Sequence, residues 1–326
     1  MTDTLESLRR QIDGAGKLDG VVRAMKALAA SSIGQFERSV AALGEYYRTV
    51  ELGLVAAFRE NGAALVSEGD HRADAIGAVI FGSDQGLVGQ FNERLAEFVS
   101  EQLAALPGKK TIWVVGERMQ SRIADAGLPQ AGLFTTPNSV AAIVPLIGQI
   151  LTAVERQQEA GKVIQFYLFH NRPLSEATYG PAIQRILPID QQWYRELSEI
   201  PWPTRTLPVL LNSYEHTLPA LLREYLFVSL FKACAESLAS ENASRLAAMQ
   251  RAEKNIDEML GALNQSFHRL RQGAIDEELF DLVSGFEALP SDSGADRKDD
   301  ASLSPRVNKF EAEDFPVARP AVGQSP

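Results

Sequence analysis

The sequence predicts a mixed α/β protein: a long antiparallel coiled coil made from the two chain ends, with an α/β domain inserted between them. Three observations lead there. Proline is absent before Pro107 and again from Ala220 to Leu289. Both of those stretches repeat apolar residues at alternating three- and four-residue spacing. Between them, short apolar runs alternate with amphipathic helical segments, the pattern of strands and helices in an α/β unit with a mostly parallel sheet.

The N-terminal helix is expected over roughly residues 3–60. Leu8, Ala15, Val22, Ala29, Phe36, Leu43, Val50 and Ala57 recur every seven positions, and Ile33, Val40, Tyr47 and Leu54 follow members of that series by four. Such a heptad seam is the signature of a helix supercoiled on a partner. Asp19 and Lys26 interrupt the second seam, so the stretch between Gly14 and Ser32 should pack closely but less apolarly. The C-terminal helix is expected from about Asn212 to Leu289, with Leu246, Met249, Ala252, Ile256, Met259 or Leu260, Leu263, Phe267, Leu270 and Ala274 along its seam. At 1.5 Å per residue the two helices would be about 90 and 110 Å long, well beyond the size of the domain between them. An antiparallel pair formed by the two ends solves that mismatch.

The inserted domain is read over 73–205 as Rossmann-like. Its apolar runs are "AIGAVIF", "TIWVVG" and "KVIQFYLFH", and its helical patterns fall at 92–105, 117–126 and 138–159. "PWPTRTLP", Pro201 to Pro208, is a stiff link into the long helix. The expected divisions are therefore 1–65, 73–205, 210–289 and a tail at 290–326, whose Pro, Ser and mixed charge read as disordered.

Composition narrows the function classes. A net charge of −10 argues against a nucleic-acid binder, and a single cysteine, Cys234, allows neither an internal disulfide nor a cysteine zinc site. The N-terminus lacks an apolar signal region and no run approaches a membrane span, so the chain is expected to be cytosolic, without direct membrane insertion. The loop "FGSDQGLVGQFN" places Gly82, Gly86 and Gly89 between a strand and a helix, where anions can bind. Its spacing matches neither the dinucleotide fingerprint nor a Walker loop, so a structural turn is expected. The histidines, His71, His170, His216 and His268, have no metal-ligand spacing, and His170, at a strand end, has no acid or nucleophile near it in sequence. No catalytic residue, metal or bound cofactor is expected. Cationic side chains at Arg23, Lys26, Arg245, Arg251, Arg269 and Arg271 suit either a solvated face or a contact rail for acidic partner loops.

Three segments carry a resemblance: "AMKALAASS" (Ala24–Ser32), "SDQGLVGQFN" (Ser83–Asn92) and "SLASENASRLAAMQRAEKN" (Ser237–Asn255). In order and spacing they resemble signature regions of the gamma subunit of F-type ATP synthases, as does "NQSFHRLRQGAIDEEL" (Asn264–Leu279). The resemblance spans about residues 3–289. It implies a rotor shaft standing in a ring of alpha and beta subunits, with the α/β domain near the epsilon subunit and the membrane rotor c-ring. It further implies a complex on the cytoplasmic side of a bacterial inner membrane, with ATP held by other chains. By position, Met25 and Lys26 match the family's Met-Lys, Arg245 its Ser-Glu…Ala-Arg arginine, and Arg271 with Gln272 its Arg-Gln pair. All five are implied as partner contacts.

The sequence also departs from the pattern. Val88 stands where the family usually has Cys, Ser32 where its first motif ends in Lys, and Asp276 where Thr is frequent. These changes point to a divergent branch, an alternative or a sodium-linked synthase. A coiled-coil adaptor without rotary function explains the two helices but not the matched segments. A nucleotide-dependent enzyme would need a phosphate loop that this sequence does not supply.

Overall fold

The computed structural model describes residues 4–61, 75–159, 165–175, 178–187, 195, 197, 199–206, 208 and 214–287. Helix α1 (Leu5–Asn61) is the first described element and α5 (Tyr214–Glu287) the last. Between them run β1 (Ala75–Phe81), α2 (Phe91–Ala105), β2 (Lys109–Val115), α3 (Glu117–Asp125), β3 (Gln130–Phe134), α4 (Ile143–Glu159), β4 (Gln165–Ser175) and β5 (Thr178–Leu187). A 3₁₀ turn at Val140–Ala142 leads into α4. The expected tail at 290–326 and His71 lie outside the described residues.

Packing divides the chain into two compact units, one ending at Arg271 and the other beginning at Gln272. In the first, α1 and α5 run antiparallel. As the α1 contact moves back from Gly53 through Tyr47 to Lys26, its α5 counterpart moves forward from Leu221 through Tyr225 to Glu253. The heptad series reads directly as burial. Leu8, Ala15, Ala29, Phe36, Val50 and Ala57 are buried, while Val22 and Leu43 are half-buried. In the second seam Ile33, Val40 and Tyr47 are half-buried and Leu54 is fully enclosed.

The sheet has the order β3-β2-β1-β4-β5, with β5 antiparallel to β4 and every other pairing parallel. Central β1 is buried at all seven positions because both its faces are covered. Alternation sends Ile76, Ala78 and Ile80 toward α2 and α3, where Leu95, Val99, Leu103, Met119 and Ile123 enclose them. It sends Val79 and Phe81 the other way, into a core shared by α4, by Val50–Phe58 of α1 and by Tyr225–Ala239 of α5. The coil is thus the third layer of the α/β domain, packed along one face of the sheet. That is why α5 is buried on nearly every side from Val228 to Glu241, although its sequence reads as an amphipathic coil helix.

Strands β3 and β5 are absent from the sequence reading. Both are sheet edges, half exposed, and interrupted by Gly132 in one and Gly180 and Pro181 in the other. Such composition hides a strand from a search for apolar runs.

Candidate functional site

The loop after β1 is a turn held by its own side chains. Ser83 N–H donates to Asn92 Oδ1 at 3.1 Å, and Asn92 Nδ2 donates to Ser83 Oγ at 2.8 Å. Asp84 accepts the Glu117 N–H at 2.9 Å on one oxygen and the Thr136 N–H at 2.8 Å on the other, tying the loop to the start of α3 and to the chain after β3. The three glycines differ in what they do. A Cβ on Gly82 would lie 2.2 Å from Met119 Cβ, so glycine there permits the close approach of α3. Gly89 has φ +57, in the left-handed region. Gly86 meets nothing within 4 Å.

Three serines of the segment Ser237–Asn255 fasten α5 to this domain. Ser237, Ser240 and Ser244 recur at helical spacing and are all buried. Ser237 Oγ donates to the Phe81 carbonyl at 2.9 Å and Ser240 Oγ to the Asn171 carbonyl at 3.1 Å. Ser244 Oγ donates to the Val88 carbonyl and pairs with the Tyr179 hydroxyl. The carbonyls at the end of β1, in the loop after it and within β4 therefore find donors on α5. Nearby, His170 Nε2 meets Glu236 Oε2 at 2.8 Å, with the imidazole only 5% exposed. The acid missing in sequence is thus supplied 66 residues away, but the ring is enclosed. The serine spacing is visible in "SLASENAS"; nothing local marks its carbonyl partners.

Of the five implied contact residues, two are engaged inside the chain. Lys26 Nζ lies 2.5 Å from Glu253 Oε2 across the coil. Arg23 joins this group, 2.9 Å from Asp19 and 3.5 Å from Glu253. Of the two charges that interrupt the apolar seam, Lys26 thus meets an acid on α5 and Asp19 pairs with Arg23 on its own helix, and the Lys26 hydrogen bond holds the Glu253 carboxyl below its ordinary range. Arg245 lies 2.5 Å from Glu241 Oε1 and donates to Asn242 Oδ1, with its side chain 13% exposed. Burial pushes the Glu241 carboxyl up, Arg245 opposes that, and Asp84 adds to it. Met25 is half-buried, and Arg271, at the end of the first unit, is exposed. Gln272 is exposed at the start of the second unit, which also presents Ile275, Leu279, Phe280, Leu282 and Val283, each at least half exposed.

Arg245 and Glu241 border a cavity of about 190 Å³ between α1, α5 and the loops after β1 and β3. Among the described residues no group of three His, Cys, Asp or Glu side chains is placed to hold a metal, and no helix is long and apolar enough to cross a membrane.

These features define a coiled-coil protein with an inserted α/β domain, joined through hydrogen bonds from Ser237, Ser240 and Ser244 of α5. The model of the family described as ATP synthase matches residues 4–289, and the chain belongs to that family. A curated relative, the ATP synthase gamma chain of Syntrophus aciditrophicus, is 36% identical over 125 residues, covering 38% of this chain and 42% of its own length. The gamma chain of Frankia casuarinae is 29% identical over 303 residues, covering 89% of this chain and 99% of itself. This chain therefore spans less than half of the first relative and nearly all of the second. The fold is also that of a chain in the rotor of Euglena gracilis mitochondrial ATP synthase, with a TM-score of 0.57, 16% identity, and 83% of this chain and 98% of that one covered.

Proposed function

We propose that this chain is the central rotor shaft, the gamma subunit, of an F-type ATP synthase. It couples ion-driven rotation to ATP synthesis or hydrolysis in a head of alpha and beta subunits. In this reading residues 1–65 and 210–289 form the shaft, 73–205 the domain nearer the epsilon subunit and the c-ring, and 290–326 a tail that modulates hydrolysis. The chain carries no cofactor and no active site; the complex stands at the cytoplasmic side of a bacterial inner membrane. The observation that carries the reading is the end of α5, which loses its cover. Among the described side chains beyond Ile256 only Leu260, Leu263 and Phe267 are half-buried, and the apolar side chains from Ile275 to Val283 are exposed. Exposed apolar side chains in such number mark a surface that a partner covers.

The mechanism follows from differential binding. A shaft without threefold symmetry touches three identical catalytic subunits differently, and a difference of about 1.4 kcal/mol in contact energy is tenfold in relative population of two states. Turning the shaft carries each catalytic subunit through its states in sequence. Met25, Lys26, Arg245, Arg271 and Gln272 are the proposed contacts, with Lys26 and Arg245 presented from within their ion pairs. The rigid attachment of α5 to the domain lets torque applied at the domain reach the shaft. The test is the native mass and composition of what co-purifies with a tagged copy. One copy with three each of two nucleotide-binding subunits is expected; a homo-oligomer lacking them would favour the adaptor reading.

A further inference from the structure

Where α5 passes α2, the two helices, β5 and the β1–α2 loop line an open pocket of about 420 Å³. Its wall carries two cations and no acid: Arg94 from α2 and Arg251 from α5. Arg94 Nε donates to Gln90 Oε1 at 3.3 Å, which steadies the guanidinium and leaves its two Nη groups free. A Cβ on Gly89 would lie 3.5 Å from Arg251 Nη2, so the second guanidinium rests against the same loop. Among the described residues Arg251 makes neither an ion pair nor a hydrogen bond, and both arginines are exposed. The flanking acids are engaged elsewhere. Glu93 meets Arg122 at 2.6 Å, and Glu253 meets Lys26 and Arg23.

Tyr179 and Ser244 also line the pocket, but their hydroxyl protons stay inside the fold. Ser244 donates its only one to the Val88 carbonyl, so the Tyr179 hydroxyl donates to Ser244 Oγ. The side-chain donors that remain for a ligand are the two guanidinium forks and the Gln90 carboxamide. Two planar forks that reach one pocket from different helices suit an anion with oxygens on several sides. A carboxylate presents two oxygens in one plane, enough for one fork. A phosphate group presents three or four and serves both. A metal cation would be repelled by both arginines.

We infer that this pocket binds a phosphate group clasped between Arg94 and Arg251, and that the bound anion ties the coil to the inserted domain beside the Ser244–Val88 contact. Free orthophosphate and the terminal phosphoryl group of a nucleotide share this chemistry. The rest of the chain, with a net charge of −10, disfavours anions, so the response should be confined to the pocket.

The test follows the unfolding midpoint of the full chain as sodium phosphate replaces sodium chloride at constant ionic strength, because a ligand selective for the folded state raises that midpoint. The wild type should show a saturating rise. Arg94→Gln and Arg251→Gln, at exposed positions, should keep the phosphate-free midpoint and each bind phosphate about tenfold more weakly, the least that a lost charge-assisted contact gives. Arg38→Gln, an exposed arginine outside the pocket, should respond as the wild type does. Phosphate should also slow amide exchange over both 92–95 and 243–247 in the wild type, and over neither in Arg251→Gln. Magnesium-free ATP that binds more tightly than orthophosphate assigns the pocket to a nucleotide's phosphoryl group; ATP that binds no more tightly assigns it to the free ion. A midpoint that follows ionic strength alone, or a phosphate response undiminished in either glutamine variant, would overturn the inference. The outcome is independent of the rotor reading, which neither result touches.

Discussion

Replacing each glycine of the β1–α2 loop by alanine separates packing from backbone conformation. At Gly82 the new methyl would sit 2.2 Å from Met119 Cβ, 2.6 Å from Met119 Cγ and 3.0 Å from Asn92 Oδ1. The obstruction is a Cβ anchored to the backbone of α3, and Met119 is wholly buried against Ile80 and Leu95, so no rotamer change clears it. Helix α3 must move by more than an ångström, or the Ser83–Asn92 pair must open. Overpacking of this kind costs about 3 kcal/mol, the upper end of its usual range. Opening the pair adds roughly 1 kcal/mol. At Gly89 only the left-handed φ opposes alanine, at a cost of about 1 kcal/mol, and its nearest neighbours are at 3.5 Å. At Gly86 there is open space, and a change within about 0.5 kcal/mol is expected. Urea denaturation of the purified full chain should rank the variants Gly82→Ala, Gly89→Ala and Gly86→Ala from most to least destabilised. If Gly86→Ala proved as costly as Gly82→Ala, the account of this loop as a packed turn would be wrong.

Ser237→Ala, Ser240→Ala and Ser244→Ala together should lower stability by about 3 kcal/mol, near 1 kcal/mol for each lost hydroxyl bond, with hydrogen-exchange protection falling at β1 and β4. The two acids of α5 should titrate with opposite effect. Glu253, held low by Lys26, contributes stability above the ordinary carboxylate range that is lost as pH falls through its folded pKa. Glu241, held high by burial, contributes most below that range and its contribution is lost as pH rises through its folded pKa. Glu253→Gln and Glu241→Gln should therefore change the acid limb of a stability–pH curve in opposite senses. Reversing the exposed Arg271 to Glu should leave the midpoint of unfolding within about 0.5 kcal/mol while slowing coupled turnover in the complex. Arg245→Glu should instead destabilise the chain itself, because it leaves Glu241 facing a like charge.

Legibility in the sequence followed the reach of the forces involved. The heptad seam was readable because Leu8, Ala15, Ala29 and Phe36 answer to one local period, and each is buried where that period puts it. Strands β1 and β2 were readable because burial on both faces demands unbroken apolar runs. Edge strands β3 and β5 face partly outward, so their sequences carry no such demand. Side-chain pairing was the least readable. Glu236 meets His170, Ser237 meets Phe81 and Lys26 meets Glu253 only after the chain has folded back over 66, 156 and 227 residues. Their local sequences describe a polar helix and nothing more. The cations left open between a solvated face and a contact rail divided accordingly, with Lys26 and Arg245 paired to acids of α5 and Arg271 left exposed.

The most direct test of the shaft reading is to watch this chain turn. With the complex held by its head and a reporter attached to the α/β domain of this chain, ATP should drive one-way rotation in three equal steps per turn. Hydrolysis at a normal rate while the reporter stays still would contradict the account, because the chain would then be bound to the head without being its shaft.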